Sequence, residues 1–324
     1  MPMNESLPVP RQLLDFVDGY HSFLVVGHKE PDGDCLGSQL ALGSLLERCG
    51  KKVLLANPGP FDRQETAAWE QRFISSLDEN GAAGLEAVIV VDCSSADRIG
   101  EIAGPISGLP LAVIDHHTSG ERFGDIHYIL PEIPATTMLI HALFRALELE
   151  PTPEEAQLLF FGLATDTGFF RFLSPGQHLA YTVAAELTRA GASPREADRL
   201  ISTGRSLESR LLLARLLQRV EQLRDGEFLL TFQTLADERE FGKRRDSDAL
   251  YRLLLAVEGV RVIAVVKEKE NGCAVSFRAL DDTDVGQLAT RFGGGGHRKA
   301  AGAFQGEKLH LFLPRLRSAL LELG

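Results

Sequence analysis

The chain reads as an α/β protein with a doubly wound, mostly parallel sheet in its N-terminal domain, a connecting helix, and a smaller α/β domain at its C-terminal end. Three observations predict this. Residues 23–26, 53–56, 87–91 and 111–114 are short apolar runs, each followed by turn residues, as strands buried on both faces of a parallel sheet require. Amphipathic segments at about 36–48, 135–147, 153–163 and 177–190 alternate with or follow them, the third opening on Pro153 and Glu154 as a helix N-terminus prefers. Residues 206–224 then place leucines at helical spacing between Arg and Glu, and strand-like runs return at 228–232, 262–266 and 274–277. Short and long closing helices are expected at 286–291 and 309–323. The resulting division is 1–204, a connecting helix over 205–224, and 225–324.

Composition narrows the function classes. The 324 residues are 44% hydrophobic, ordinary for a globular protein large enough for two domains. No run of eighteen uncharged apolar residues and no basic-then-apolar leader is present, so a cytoplasmic protein without a membrane span is expected. Cys35, Cys49, Cys93 and Cys273 show no CxxC spacing and read as reduced. A net charge of −11 argues against gripping long duplex nucleic acid, which needs many cations against phosphates.

Four clusters of metal-binding side chains fall at strand ends or turns, where open parallel sheets gather ligands. His28, Asp32 and Asp34 lie on a Pro/Gly-constrained turn after the first strand. Asp92 ends the run 87–91, where either a helix cap or a ligand is compatible with its position. Asp115, His116 and His117 follow the next strand, and consecutive ionisable residues there have no packing purpose. Asp166 ends an apolar helix, where its charge opposes the helix dipole unless a cation compensates. Near the C-terminus, Gly293 to Gly296 followed by His297 can bring backbone N–H groups close to a phosphate, with Arg278 at the end of a strand adding charge. Lys243, Arg244 and Arg245 read as a solvated surface or as an aid to nucleic acid entry, and Phe169, Phe170 and Phe172 as core packing or a base-stacking wall.

Taken in order, these residues resemble the DHH phosphoesterase family: His28-x-x-x-Asp32-x-Asp34, Asp92, Asp115-His116-His117 and Asp166 match its four motifs. The run Gly294-Gly295-Gly296-His297 is similar to the GGGH motif of the DHH-associated C-terminal domain, so the resemblance spans nearly the whole chain. The layout is most similar to NrnA-like oligoribonuclease and pAp phosphatases, and to stand-alone phosphodiesterases of cyclic or linear dinucleotides. A departure is Arg298 after His297, where many relatives carry Pro.

The resemblance implies two divalent ions, one held by His28, Asp32 and Asp92 and the other by Asp34, Asp92, His116 and Asp166, with Asp92 bridging. Mixed carboxylate and imidazole donors suit Mn²⁺ better than Mg²⁺. Asp115 and His117 are the implied catalytic residues, the first orienting a histidine and the second touching a phosphate oxygen. Arg278, Gly294, Gly295, Gly296 and His297 are the implied substrate-binding set, which in the family faces the metals across a cleft. The expected substrates are short oligonucleotides or pAp. Cyclic or linear dinucleotides are the alternative, and an inactive nucleotide sensor is the alternative of another class. Relatives commonly form homodimers.

Overall fold

The computed structural model describes residues 7–117, 123–242 and 245–323. The chain resolves into two compact units, Met1–Gly204 and Arg205–Gly324. In chain order the first unit contains α1 (Arg11–Gly19), β1 (Ser22–Val26), α2 (Gly33–Arg48), β2 (Lys52–Ala56), α3 (Glu79–Ala82), β3 (Ala87–Val91), β4 (Leu111–Asp115), β5 (Ile126–Ile129), α4 (Thr136–Ala146), α5 (Pro153–Asp166), α6 (Leu179–Arg189) and α7 (Pro194–Ser202). Its sheet runs β2-β1-β3-β4-β5, and every neighbouring pair is parallel. The order reverses between β1 and β3, which makes the C-terminal ends of these strands the crevice where such sheets place ligands.

The buried residues of β1 and β3, and those of β4 up to Ile114, are apolar because both faces are covered. Val25, Ile89 and Ile114 face one core with α2, α4 and α5, while Leu24, Val90 and Val113 face another with Ile99 and Ile102. β5 has no apolar run to announce it: only Tyr128 is fully buried at this sheet edge. α2 and α5 approach closely because Gly37 and Gly162 lack side chains. A Cβ on Gly37 would lie 2.6 Å from the Leu158 carbonyl oxygen, and one on Gly162 would lie 2.5 Å from Thr137 Cγ2.

The second unit contains α8 (Leu207–Gln218), β6 (Glu221–Leu223), β7 (Phe228–Gln233), α9 (Leu235–Phe241), α10 (Ser247–Leu255), β8 (Val262–Lys269), β9 (Gly272–Ala279), α11 (Val285–Arg291), β10 (Gly295–His297), β11 (Ala300–Gln305) and α12 (Leu309–Leu321). Its sheet runs β10-β11-β9-β8-β7-β6, antiparallel except for β7 against β8. The helix expected over 206–224 ends at Gln218, because Glu221 to Leu223 pair with β7. Leu212 and Leu216 of α8 pack with Leu229, Leu250 and Ile263 of the same unit. Arg210, Arg215 and Arg219 reach Asp246, Glu240 and Asp237. Among the described residues no helix is long and apolar enough to cross a membrane.

Candidate metal centre

The four N-terminal clusters come together at the C-terminal ends of β1, β3 and β4 and at the last residue of α5. Asp32 caps α2, its Oδ1 accepting the backbone N–H groups of Asp34 and Cys35 at 3.1 Å. The helix therefore starts three residues earlier than its apolar pattern suggests, and Asp34 sits in its first turn, fully buried. Asp92 lies just past β3 and caps no helix: its φ of 59° is in the left-handed region, a conformation costing a non-glycine residue about 1–3 kcal/mol and concentrated at functional sites.

Asp92 stands between two imidazoles. Its Oδ2 is 3.3 Å from His28 Nε2, and its Oδ1 is 3.6 Å from His116 Nε2 and 3.8 Å from His117 Nδ1. His116 Nε2 also lies 3.8 Å from Asp34 Oδ2 and 3.1 Å from Asp166 Oδ2, and His28 Nε2 lies 3.9 Å from Asp32 Oδ1. A carbonyl oxygen only accepts, so His28 Nδ1 donates to the Lys29 carbonyl at 2.8 Å and His116 Nδ1 to that of Ile133 at 3.1 Å. In neutral rings both Nε2 lone pairs then point at carboxylates. That arrangement is repulsive unless a cation lies between them, and it is how metal-bound histidines are usually oriented.

Electrostatics gives the same answer. Burial, then the repulsion of Asp166, pushes Asp34 up to about 7, and burial with Asp34 and Asp32 pushes Asp92 well above the carboxylate range. Burial works against charging His116, yet Asp166 and Asp34 outweigh it and raise the group to about 9. His116 Nε2 is buried, and the carboxylate oxygen nearest to it is Asp166 Oδ2 at 3.1 Å. The residues thus fit divalent cations. Donor atoms lie within 4.8 Å of one another in three sets: Asp34, His116 and Asp166; Asp92, His116 and His117; and His28, Cys35 and Asp92.

Three contributors were not visible in the sequence. Thr136 and Thr137 open α4, and their backbone N–H groups donate to Asp34 at 2.6 and 3.0 Å. The Thr137 hydroxyl adds a third bond to Asp34 at 2.7 Å, and the Thr136 hydroxyl donates to Asp92 at 2.9 Å. A helix N-terminus thus faces a buried carboxylate, a favourable dipole arrangement. The third is Cys35, a buried thiol whose pKa is raised by burial and by Asp92.

Asp115 Oδ1 accepts from the backbone N–H groups of His116 and His117 at 2.7 and 3.1 Å and from His117 Nδ1 at 2.8 Å. Burial opposes the charge on Asp115, but the bonds from His117 hold its pKa below the usual value. The His117 ring is 40% exposed, and with Nδ1 held by Asp115 its Nε2 is the nitrogen left for other partners. Phe169 and Phe170 pack on the core, whereas Phe172 is 70% exposed.

In the second unit, Arg278 of β9 pairs with Ala300 of β11, which pairs with His297 of β10. Directly paired residues project on one face of a sheet, so Arg278 and His297 share a row two strands apart. Gly294 and Gly296 admit no side chain because β11 is too close: a Cβ would lie 2.2 Å from the Gly302 carbonyl oxygen and 2.6 Å from the Ala301 Cα, respectively. Gly295 alone of the three opens on free space. Lys243 and Arg244 lie outside the described residues.

The family model of the DHH family N-terminal domain matches residues 22–163, and that of the DHHA1 domain matches residues 233–321. The chain is 31% identical over 301 residues, 92% of its length and 88% of the relative's, to the bifunctional oligoribonuclease and PAP phosphatase NrnA of Thermus thermophilus. An exopolyphosphatase-related protein from Bacteroides fragilis shares its fold with a TM-score of 0.81 at 22% identity, covering 95% of this chain and 94% of that one. RecJ of Thermus thermophilus in complex with Mn²⁺ shares the fold more distantly, with a TM-score of 0.55 at 18% identity over 99% of this chain and 55% of that one.

Proposed function

This chain belongs to the DHH family of metal-dependent phosphoesterases, and from that premise we propose that it hydrolyses short oligoribonucleotides to mononucleotides and removes the 3′-phosphate of pAp. The observation that carries the reading is Asp92, set between His28 on one side and His116 on the other, each imidazole turning a lone pair toward carboxylates. His28, Asp32 and Asp92 would hold one ion, and Asp34, Asp92, His116 and Asp166 the other. Mixed nitrogen and oxygen donors favour Mn²⁺ for both. When bound, such a pair supplies Lewis-acid activation of the attacking water and neutralises charge on the phosphoryl oxygens.

The chain's own residues do the rest. Thr136 and Thr137 fix the directions of the Asp92 and Asp34 oxygens. Asp115 holds the His117 proton on Nδ1, so Nε2 is the atom that meets a phosphate oxygen or the leaving group. Arg278 and His297, in one row of the second sheet, bind the nucleotide, with the open backbone at Gly295 beside them. The relative named for oligoribonuclease and PAP phosphatase activity is matched over most of its length, which supports this substrate class.

The test is Mn²⁺-dependent hydrolysis of 5′-phosphorylated RNA dinucleotides to pentanucleotides, pAp and cyclic dinucleotides, with Asp92→Ala as control. Turnover of the linear RNAs or pAp that is lost in Asp92→Ala is expected. Near-normal turnover in that variant removes the metal-bridging role, and preferential opening of a cyclic dinucleotide replaces the substrate assignment.

A further inference from the structure

The donor sets on the two sides of Asp92 differ in one element. Cys35, His28 and Asp92 are all buried, and the Cys35 sulfur, an imidazole nitrogen of His28 and a carboxylate oxygen of Asp92 lie within 4.8 Å of one another. The set formed by Asp34, His116 and Asp166 contains no sulfur. A tetrahedral ion holds a sulfur ligand about 3.5 Å from a nitrogen or oxygen ligand, so a shift of roughly 1 Å lets the three atoms share one ion.

The surroundings of the sulfur suit that role. Asp32 Oδ1 accepts from the backbone N–H of Cys35 at 3.1 Å, which fixes the residue in the first turn of α2 beside the turn that carries His28. Gly27 leaves the space, since a Cβ there would lie 2.4 Å from the sulfur. Asn57 aims an N–H at it. Because Asn57 Oδ1 accepts from the Gly59 backbone at 2.9 Å, the donating end, Nδ2, faces the sulfur at 3.8 Å, Gln39 Oε1 at 2.9 Å and the His28 carbonyl at 3.2 Å. Gln39 is held in turn, its Nε2 donating to the carbonyls of Val25 and Ala56 at 3.2 and 2.8 Å. An amide donor fixed in this way supports a metal-bound thiolate, as the outer partners of metal ligands do. Cys93, next to Asp92, is engaged elsewhere: its thiol donates to the Ser95 carbonyl at 3.1 Å.

We propose that Cys35 is a ligand of the first metal position, together with His28 and Asp92, and that its sulfur lets thiophilic divalent cations such as Zn²⁺ displace Mn²⁺ from that position. The inference rests on the metal-centre reading above and adds a ligand and a metal specificity to it. Thiolate donors select Zn²⁺ over Mn²⁺, which suits oxygen donors. Binding replaces the S–H bond with an S–metal bond and releases the proton to solvent. Three protein ligands leave the fourth position of a tetrahedral ion for water or a substrate oxygen.

Two readouts on the full chain test this, in wild type, Cys35→Ala, Cys35→Ser and Cys93→Ala. The first is the absorption spectrum of the Co²⁺-loaded protein. Wild type and Cys93→Ala should show a near-ultraviolet sulfur-to-cobalt charge-transfer band that both Cys35 variants lack at saturating Co²⁺. The second is the electron paramagnetic resonance signal of free Mn²⁺ as Zn²⁺ is added to the Mn²⁺-loaded protein. Wild type should begin to release Mn²⁺ at about tenfold lower Zn²⁺ than Cys35→Ala, equivalent to ~1.4 kcal/mol. Nitrogen and oxygen sites also favour Zn²⁺ over Mn²⁺, so only the difference between wild type and variant measures the sulfur. A wild type without the band, a band that survives in Cys35→Ala, or equal Zn²⁺ requirements in the two proteins overturns the proposal. If Cys35→Ala fails to fold by circular dichroism, Cys35→Ser decides on the same criteria, since it changes one atom. Mn²⁺-dependent turnover of 5′-phosphorylated ApA by wild type keeps the two readings apart. Turnover without the cobalt band removes the sulfur ligand and leaves the hydrolase, whereas the band without turnover removes the hydrolase and leaves the ligand.

Discussion

Replacing Thr137 with valine tests whether the N-terminus of α4 orients the metal ligands. Thr137 Oγ1 donates to Asp34 Oδ1 at 2.7 Å, and the carboxylate is fully buried, so no water takes the hydroxyl's place. Valine keeps the shape, including the Cγ2 that packs where Gly162 leaves room. A hydrogen bond to a charged group contributes about 1.5–3 kcal/mol. Loss of a partner that orients a metal ligand typically costs about 10–100-fold in metal affinity, a range of similar size. Calorimetric Mn²⁺ titration should therefore show affinity reduced about 10–100-fold in Thr137→Val. Thr137→Ser, which keeps the hydroxyl and loses the methyl, should bind Mn²⁺ nearly as wild type while melting at lower temperature. Wild-type affinity in the valine variant, or equal losses in both variants, would refute the orienting role.

Other outcomes follow from single contacts. Gly162→Ala places a Cβ 2.5 Å from Thr137 Cγ2 and 3.0 Å from the Asp34 Cα, so it should cost about 1–3 kcal/mol of stability in thermal melts and weaken metal binding as well. Asp237 is buried and holds Arg219 while capping α9; burial opposes its charge, but the Arg219 and Thr234 bonds bring its pKa to about 2. Its folded pKa is thus depressed, so it stabilises above pH ~4 by about 2 kcal/mol and that contribution is lost as pH falls toward 2. Hydrogen exchange of β7 and α9 amides should show the gap between wild type and Asp237→Asn closing over that window. His297→Ala should raise KM for short RNAs with Mn²⁺ affinity unchanged, and loss of bound metal in it would contradict the division of labour between the units.

Legibility in the sequence followed how local each signal was. His28, Asp32, Asp34, Asp92 and Asp115-His116-His117 could be found because each group lies at the end of an apolar strand or in the turn that leads from it. Asp166 could be found because an acid at a helix C-terminus is electrostatically out of place. Thr136 and Thr137 could not, since a threonine pair opening a helix is ordinary and their partner Asp34 is 102 or 103 residues away. The glycine run at 293–296 suggests a loop by propensity, yet Gly295 and Gly296 lie in β10 because β11 leaves no room for a Cβ at Gly296. Residues 221–223 carried a helical pattern and became a strand through pairing with β7, a case of tertiary context overriding local preference.

The crowding of buried carboxylates in the first unit is the strongest electrostatic argument for its role. His116 Nε2 lies 3.1 Å from Asp166, 3.6 Å from Asp92 and 3.8 Å from Asp34, and the three carboxylates around it are an excess of negative charge that a divalent cation would neutralise. That surplus does not stabilise the free protein, because an uncompensated buried group costs about 1–3 kcal/mol, and more when charged. A metal ion would remove such a cost on binding. Mn²⁺ should therefore raise the protein's melting temperature, with Asp92→Ala abolishing the shift.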